Sequence, residues 1–210
     1  MLPDWIAHQL VRRGINDERV LAAMARVPRE AFVPDAERCR AYSDAALSLP
    51  HGQTISQPYI VALICQALEL RGDERVLDVG SGSGYQAAVL AELAAEVVSI
   101  ERIPGLASLA RHNLRQTRCR VDVYVGDGSL GLPERSPYDA IAVAAASDDV
   151  PAQLYEQLVI GGRLVLPLGE SLVAVTRTSA GPRTRYLASV RFVPLVTGVP
   201  EPGSEINGPS

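Results

Sequence analysis

The run Asp78-Val79-Gly80-Ser81-Gly82-Ser83-Gly84 leaves this chain few folds to choose from. Val76-Leu77-Asp78-Val79 reads as a short buried strand. Glycines follow it at alternate positions, and an Ala- and Leu-rich helical pattern follows the glycines. Glycine lacks the Cβ that keeps backbone away from a ligand. A second apolar run, Val97-Val98-Ser99-Ile100, closes on Glu101-Arg102. An acid at the end of the second strand of such a unit is placed to accept hydrogen bonds from ribose hydroxyls. The pattern predicts a nucleoside site at the carboxyl ends of a parallel sheet.

From Arg75 onward strand and helix signals alternate. Strands are expected at 75–79, 97–101, 121–126, 139–145, 163–168, 171–177 and 186–196, and helices at 84–95, 104–116 and 151–159. The first half reads βαβαβ, which implies a parallel sheet with right-handed crossovers. The short connection Ser179-Ala180-Gly181-Pro182 makes the last two strands an antiparallel hairpin. Upstream, residues 2–13 and 16–27 carry amphipathic helical patterns, the second opening at Asn16-Asp17-Glu18 and ending at Pro28. Residues 28–55 show no periodicity and read as a long, partly ordered connection. Pro58 suits the first turn of a helix whose buried stripe is Ile60, Val61, Ile64, Cys65 and Leu68. The expected organisation is an N-terminal helical region and loop at 1–57, an α/β core at 58–198, and a Pro- and Gly-rich disordered tail at 199–210.

Of the 210 residues 47% are apolar, enough for one sizeable core, and the net charge of −4 offers no broad basic surface for a nucleic acid. Every basic residue is arginine, so lysine Schiff-base and lysine general-base chemistry are excluded. Three scattered cysteines, Cys39, Cys65 and Cys119, fit buried thiols in a reducing compartment. The N-terminus carries Asp4 and no long apolar run, which predicts neither a signal peptide nor a membrane span.

The spacing also bears on which nucleoside binds. Asp78 stands two residues before Gly80, where an acid would repel the pyrophosphate of a dinucleotide. The same acid suits a ligand with an ammonium group and no phosphate, which is the chemistry of S-adenosylmethionine. Glu101 then takes the ribose, and Gly126-Asp127-Gly128 after the third strand is a candidate for the adenine amine. Asp127 has a plainer reading as an Asx turn residue.

The segment Leu49-Pro50-His51-Gly52-Gln53-Thr54-Ile55-Ser56-Gln57-Pro58-Tyr59 adds a resemblance. Together with Val27-Pro28-Arg29-Glu30-Ala31-Phe32-Val33-Pro34, the glycine turn, Glu101-Arg102, Gly126-Asp127-Gly128 and Arg191-Phe192-Val193-Pro194-Leu195-Val196, it resembles the protein-L-isoaspartate O-methyltransferases from about residue 12 to 198. The resemblance implies the Rossmann-like class I methyltransferase fold, with a mostly parallel seven-stranded sheet and N-terminal helices. It implies S-adenosylmethionine as cofactor and methylation of the free α-carboxylate of isoaspartyl residues in damaged peptides and proteins. The ester then cyclises to a succinimide, whose hydrolysis returns some normal aspartate. By the same resemblance Ser56 is the active-site serine. Gln53, Thr54, Ile55, Asp78, Gly80, Ser81, Gly82, Gly84, Glu101, Arg102, Asp127 and Gly128 contact the cofactor. Ile55, Ser56, Leu195, Val196 and Thr197 contact the peptide, the last three on a C-terminal strand that covers it. A monomeric cytoplasmic enzyme with no metal, membrane or nucleic-acid partner is the expectation.

The residues agree with this chemistry independently. A carboxylate, with a pKa near ~4, is already an anion at neutral pH and attacks a methyl group without a general base. His8, His51 and His112 are scattered, and no base stands near Ser56 in the sequence. A serine hydroxyl donates to a carboxylate and fixes its direction. Ser56 also has an alternative reading as a cap for the helix at Pro58. Asp148-Asp149 reads as the cap of the helix after Pro151, and Arg111, Arg115, Arg118 and Arg120 as a solvated helix face. Two departures from the family pattern, Ala46 and Ser147 where proline is common, touch loops near the cleft. A related carboxyl methyltransferase acting on an aspartate of a peptide natural product, and a cofactor-binding module without catalysis, remain as alternatives. Ala144-Ala145-Ala146-Ser147 lacks the Asn/Asp-Pro-Pro-aromatic segment common in nucleic-acid amino-methyltransferases.

Overall fold

In the computed structural model, which describes residues 2–200, the N-terminal region folds as α1 (Asp4–Gln9), a 3-10 turn at Val11–Arg13 and α2 (Glu18–Arg26). The part of the expected tail from residue 201 on lies outside the described residues. Asp17 caps α2 as its sequence predicts, its side chain accepting from the amides of Arg19 and Val20. Arg19 then ties α2 to the core by donating to the carbonyls of Leu70 and Leu93.

Residues 28–55 are more ordered than expected. Two 3-10 turns, Arg29–Phe32 and Asp35–Arg40, lead to a two-stranded ribbon of β1 (Leu47–Ser48) and β2 (Thr54–Ile55). Its tip is Pro50-His51-Gly52-Gln53, with φ of 60° at His51 and 65° at Gly52. Two left-handed residues in succession make the turn that suits a tight antiparallel hairpin. The chain then enters α3 (Pro58–Leu68) with Pro58 in its first turn.

β3 (Arg75–Val79), α4 (Tyr85–Ala91), β4 (Glu96–Glu101), α5 (Pro104–Gln116), β5 (Asp122–Val125), β6 (Tyr138–Val143), α6 (Ala152–Glu156), β7 (Leu158–Leu168), β8 (Ser171–Thr178) and β9 (Gly181–Ser189) complete the fold. One sheet runs β5-β4-β3-β6-β7-β8-β9, parallel through β7 and antiparallel at β8 and β9. Alternate residues of each strand feed two cores, because successive Cβ atoms point to opposite faces. Val76, Val97, Ala140, Ala142 and Val165 pack with α2, α3, α4 and α5. Leu77, Val98, Ile100, Ile141, Val143 and Leu164 pack with Leu132, Tyr138 and Leu154 on the other face. Coverage of both faces explains why these strands read as near-continuous apolar runs.

Several expectations need correction. The helix expected at 151–159 stops at Glu156, and β7 begins at Leu158 rather than 163. Val159 and Ile160 are β-branched and favour extended backbone, while Gly161, at φ 88°, sits at an irregularity where the β6–β7 register slips. The last strand spans 181–189, not 186–196. It is a largely exposed edge carrying Arg183, Thr184 and Arg185, so it has no apolar alternation to read. Residues 190–198 leave the sheet, and there Pro194 makes only an isolated bridge to Ala146. Asp148 and Asp149 do not cap α6, whose cap position is Pro151 with no side-chain bond. Of the four arginines expected on a solvated face, Arg115, Arg118 and Arg120 are exposed, whereas Arg111 is half-buried and donates twice to the carbonyl of Val123. Cys39 is exposed rather than buried.

Beneath the glycine turn, Asp78 is fully buried. Its carboxylate accepts from Gln86 Nε2 at 2.8 Å and from Ser99 Oγ at 2.7 Å, linking β3, α4 and β4. Burial pushes its carboxyl up to about 6, and the two donors only partly offset that. Between the unfolded and folded values the folded state binds more protons, so stability falls as pH rises through that window. Asp78→Asn removes this component. In urea titrations from about pH 4 to pH 7, the wild type should lose roughly 2–3 kcal/mol relative to the variant. Parallel curves for the two proteins would contradict the assignment.

Candidate active site

The chain runs outward from β3 to β4 and β5, then returns to place β6 on the other side of β3. The crevice where strand order reverses, at the carboxyl ends, is the usual ligand site of such sheets. Here it is a cleft of about 800 Å³. That is within the roughly 300–1,000 Å³ common for small-molecule sites.

The glycine turn forms one wall. Gly80 takes φ 92°, which bends the chain away from β3, and its amide donates to the carbonyl of Ile100. Gly82 donates its amide to Glu101 Oε2 at 2.9 Å. The other oxygen, Oε1, accepts the amide of Ile103 at 3.0 Å, at the start of α5. Glu101 is therefore held in the cleft by two backbone amides. Each carboxylate oxygen keeps a further lone pair, enough for ribose hydroxyls. Ile100, Ile103 and Leu106 supply an apolar surface beside it, suited to a nucleobase. Ser81, Gly82, Ser83, Tyr85 and Gln86 continue the wall.

The opposite wall comes from irregular backbone. Gln53, Thr54, Ile55 and Ser56 all line the cleft. The alternative reading of Ser56 as a helix cap fails, because the cap position of α3 is Gln57 and no side chain bonds there. The Ser56 hydroxyl has no protein hydrogen-bond partner among the described residues. Gln57 Nε2 instead donates to Asp44 Oδ1 at 2.6 Å, and Asp44 pairs with Arg13. Segment 190–198 closes the cleft across the sheet ends. The Ala146 amide donates to the Val193 carbonyl, and the Leu195 amide donates to the Ala146 carbonyl. Farther along, Gly198 accepts from Arg102 Nε at 3.0 Å and gives its amide to Asp127 Oδ2 at 2.6 Å.

Of the residues expected to contact a cofactor, the structure brings Gln53, Thr54, Ile55, Gly80, Ser81, Gly82, Glu101, Arg102 and Gly128 to the cleft. Asp78, Gly84 and Asp127 are not on its lining. Gly84, at φ 90°, is a packing glycine: a Cβ there would meet Leu114 Cγ at 3.2 Å and the Ala110 carbonyl at 3.3 Å. Asp127 behaves as the turn residue of the plainer reading, Oδ1 accepting from the Ser129 amide and hydroxyl. Burial works against its charge, but Ser129 and the Gly198 amide hold its carboxyl below the usual range. Among the expected peptide contacts, Ile55, Ser56, Leu195 and Val196 line the cleft and Thr197 does not. The covering segment at 195–197 is not a strand. Tyr85, Ile103 and Leu106 also line the cleft without having been expected there; of the three, only Tyr85, directly after Gly84, carries a signal in the sequence.

Comparison with known proteins agrees with this geometry. The family model for Protein-L-isoaspartate(D-aspartate) O-methyltransferase (PCMT) matches residues 4–200. A Marinobacter nauticus protein named protein-L-isoaspartate O-methyltransferase 2 is 56% identical over 90% of this chain and 89% of its own length. A protein-L-isoaspartate O-methyltransferase of Methanoculleus marisnigri is 50% identical over 92% of this chain and 90% of its own length. A solved protein-L-isoaspartate O-methyltransferase superposes with a TM-score of 0.80 at 30% identity, over 90% of this chain; the chain spans 64% of that protein's length. A Plasmodium falciparum crystal structure, described as a proposed protein-L-isoaspartate O-methyltransferase in complex with S-adenosyl-L-homocysteine, gives 0.76 at 26% identity, over 89% of this chain and 94% of the other. With a seven-stranded Rossmann-like sheet and a family match over nearly all its length, the chain belongs to the protein-L-isoaspartate(D-aspartate) O-methyltransferase family.

Proposed function

We propose that this protein transfers the methyl group of S-adenosylmethionine to the free α-carboxylate of isoaspartyl residues in damaged proteins, and so starts their repair. The observation that carries the reading is the placement of an unengaged Ser56 hydroxyl on the same cleft as the Glu101-bound glycine turn. The donor set fits the cofactor: a carboxylate for the ribose, an apolar surface for the base, and backbone exposed at Gly80 and Gly82. When bound, S-adenosylmethionine supplies an electrophilic methyl carbon on a sulfonium sulfur.

The chain's own residues then have one task, which is placement. The acceptor is an anion at neutral pH, with a pKa near ~4, so no residue needs to remove a proton. Ser56 donates its hydroxyl hydrogen to one carboxylate oxygen and leaves the other to attack. Gln53 to Ile55 and the segment from Phe192 to Val196 flank the acceptor and keep water from it. Holding two reactants in line supplies on the order of 7–11 kcal/mol at best. Three free cysteines suit a reducing compartment, and in this reading the enzyme works as a cytoplasmic monomer.

A synthetic isoaspartyl peptide should accept labelled methyl groups while its aspartyl twin does not, and equal labelling would reject the reading. Ser56→Ala should lower turnover on the isoaspartyl peptide roughly tenfold to a hundredfold, with cofactor affinity within about twofold of wild type. Unchanged turnover removes Ser56 from the mechanism. Glu101→Ala should weaken S-adenosylhomocysteine binding about tenfold or more in calorimetry, since ribose hydroxyls lose a charged acceptor. Unaltered affinity would place the ribose elsewhere.

A further inference from the structure

Arg29 is among the largest fully buried side chains of the described residues, with no exposed surface. No acid is paired with it among the described residues. Its Nε donates to the Ala41 carbonyl and its Nη2 to the Ser56 carbonyl, each at 2.7 Å. The third nitrogen, Nη1, is buried with no partner. Its guanidinium carbon lies 4.7 Å from the ring centre of Tyr85, and Tyr85 lines the cleft. A guanidinium stays protonated even when buried. A lone buried charge is costly, and two carbonyls with an aromatic face offset that cost only in part.

The mechanism above gives this charge no role. Its position does: it sits one layer behind the lining, in direct contact with the backbone of Ser56. We infer that Arg29 is a positioning residue, which fixes Ser56 and sets a permanent positive charge behind the acceptor half of the cleft, so that the site selects a carboxylate over a neutral group of the same shape. The inference rests on the proposed reaction, because it takes the acceptor to lie beside Ser56. An anion arriving there finds a cation whose compensation is incomplete, whereas a carboxamide finds none of that attraction. Tyr85 carries the influence into the cleft as a polarised ring surface.

The test uses the full chain loaded with S-adenosylhomocysteine. Two peptides are titrated by calorimetry: one with the isoaspartyl α-carboxylate, and a twin with a carboxamide in its place. Wild type should prefer the acid about tenfold or more. Arg29→Met should bring the two affinities to within about threefold of each other, while S-adenosylhomocysteine affinity stays within about twofold. Arg29→Lys, which keeps the charge but loses the forked grip, should retain the preference while kcat falls roughly tenfold to a hundredfold. Equal weakening of both peptides in Arg29→Met would show a merely structural residue and overturn the inference. If Arg29→Met does not fold, the other two proteins decide. A wild type without preference, or an Arg29→Lys protein that loses it, overturns the inference. Methyl transfer by wild type is scored separately: its absence rejects the proposed reaction, whereas the change in the acid-over-amide ratio between wild type and Arg29→Met reports on Arg29.

Discussion

The Glu101 carboxylate governs the geometry of the cleft. It is almost fully buried, and each oxygen accepts one backbone amide, from Gly82 in the turn and from Ile103 at the start of α5. Amides at the start of a helix have no partner within it, and an anion there is favoured by the helix dipole. One side chain thus sets the turn after β3 against the helix after β4. Its neighbour Arg102 reaches the carbonyl of Gly198, so the same strand end also anchors the covering segment. Leaving those two amides unpaired in a buried site costs roughly 1–3 kcal/mol for each.

The two halves of the cleft are built by different means. In the proposed reading the cofactor lies in the half that hangs from the parallel ladder, where Gly80, Ala144 and Gly126 extend the inter-strand bonding past the strand ends. Those bonds are local and rigid, which suits a ligand that must present one reactive carbon. The half proposed to take the acceptor is made of a ribbon, a helix entry and the segment after β9, stitched together by side chains. Arg29 grips Ser56 and Ala41, while Gln57 and Arg13 converge on Asp44. A damaged protein presents varied neighbours around one carboxylate. Irregular backbone over a fixed cofactor accommodates that variety better than a second ladder would.

The glycine-turn wall of the cleft was legible in the sequence because its signals are local. Val76 to Gly84 states a strand, a turn and a helix start in nine consecutive residues, and Glu101 closes an unbroken apolar run. Asp17 and Pro58 likewise announce their helices by their own chemistry. An acid beside a glycine turn looks the same in sequence whether it faces the cleft or, as Asp78 does, lies under the turn. Only Gln86 on α4 and Ser99 on β4 decide which. β9 was misplaced because an exposed edge strand needs no apolar alternation. Nothing in the sequence marks Arg29, since its partners, Ala41 and Ser56, offer backbone carbonyls that no residue pattern announces.

A crystal structure with S-adenosylhomocysteine and an isoaspartyl peptide together tests the central claim most directly. The account predicts ribose hydroxyls on Glu101, the sulfur facing Ser56, and the peptide's α-carboxylate within hydrogen-bond reach of the Ser56 hydroxyl. A nucleoside bound away from residues 80–84, or a peptide carboxylate pointing away from Ser56, would contradict it.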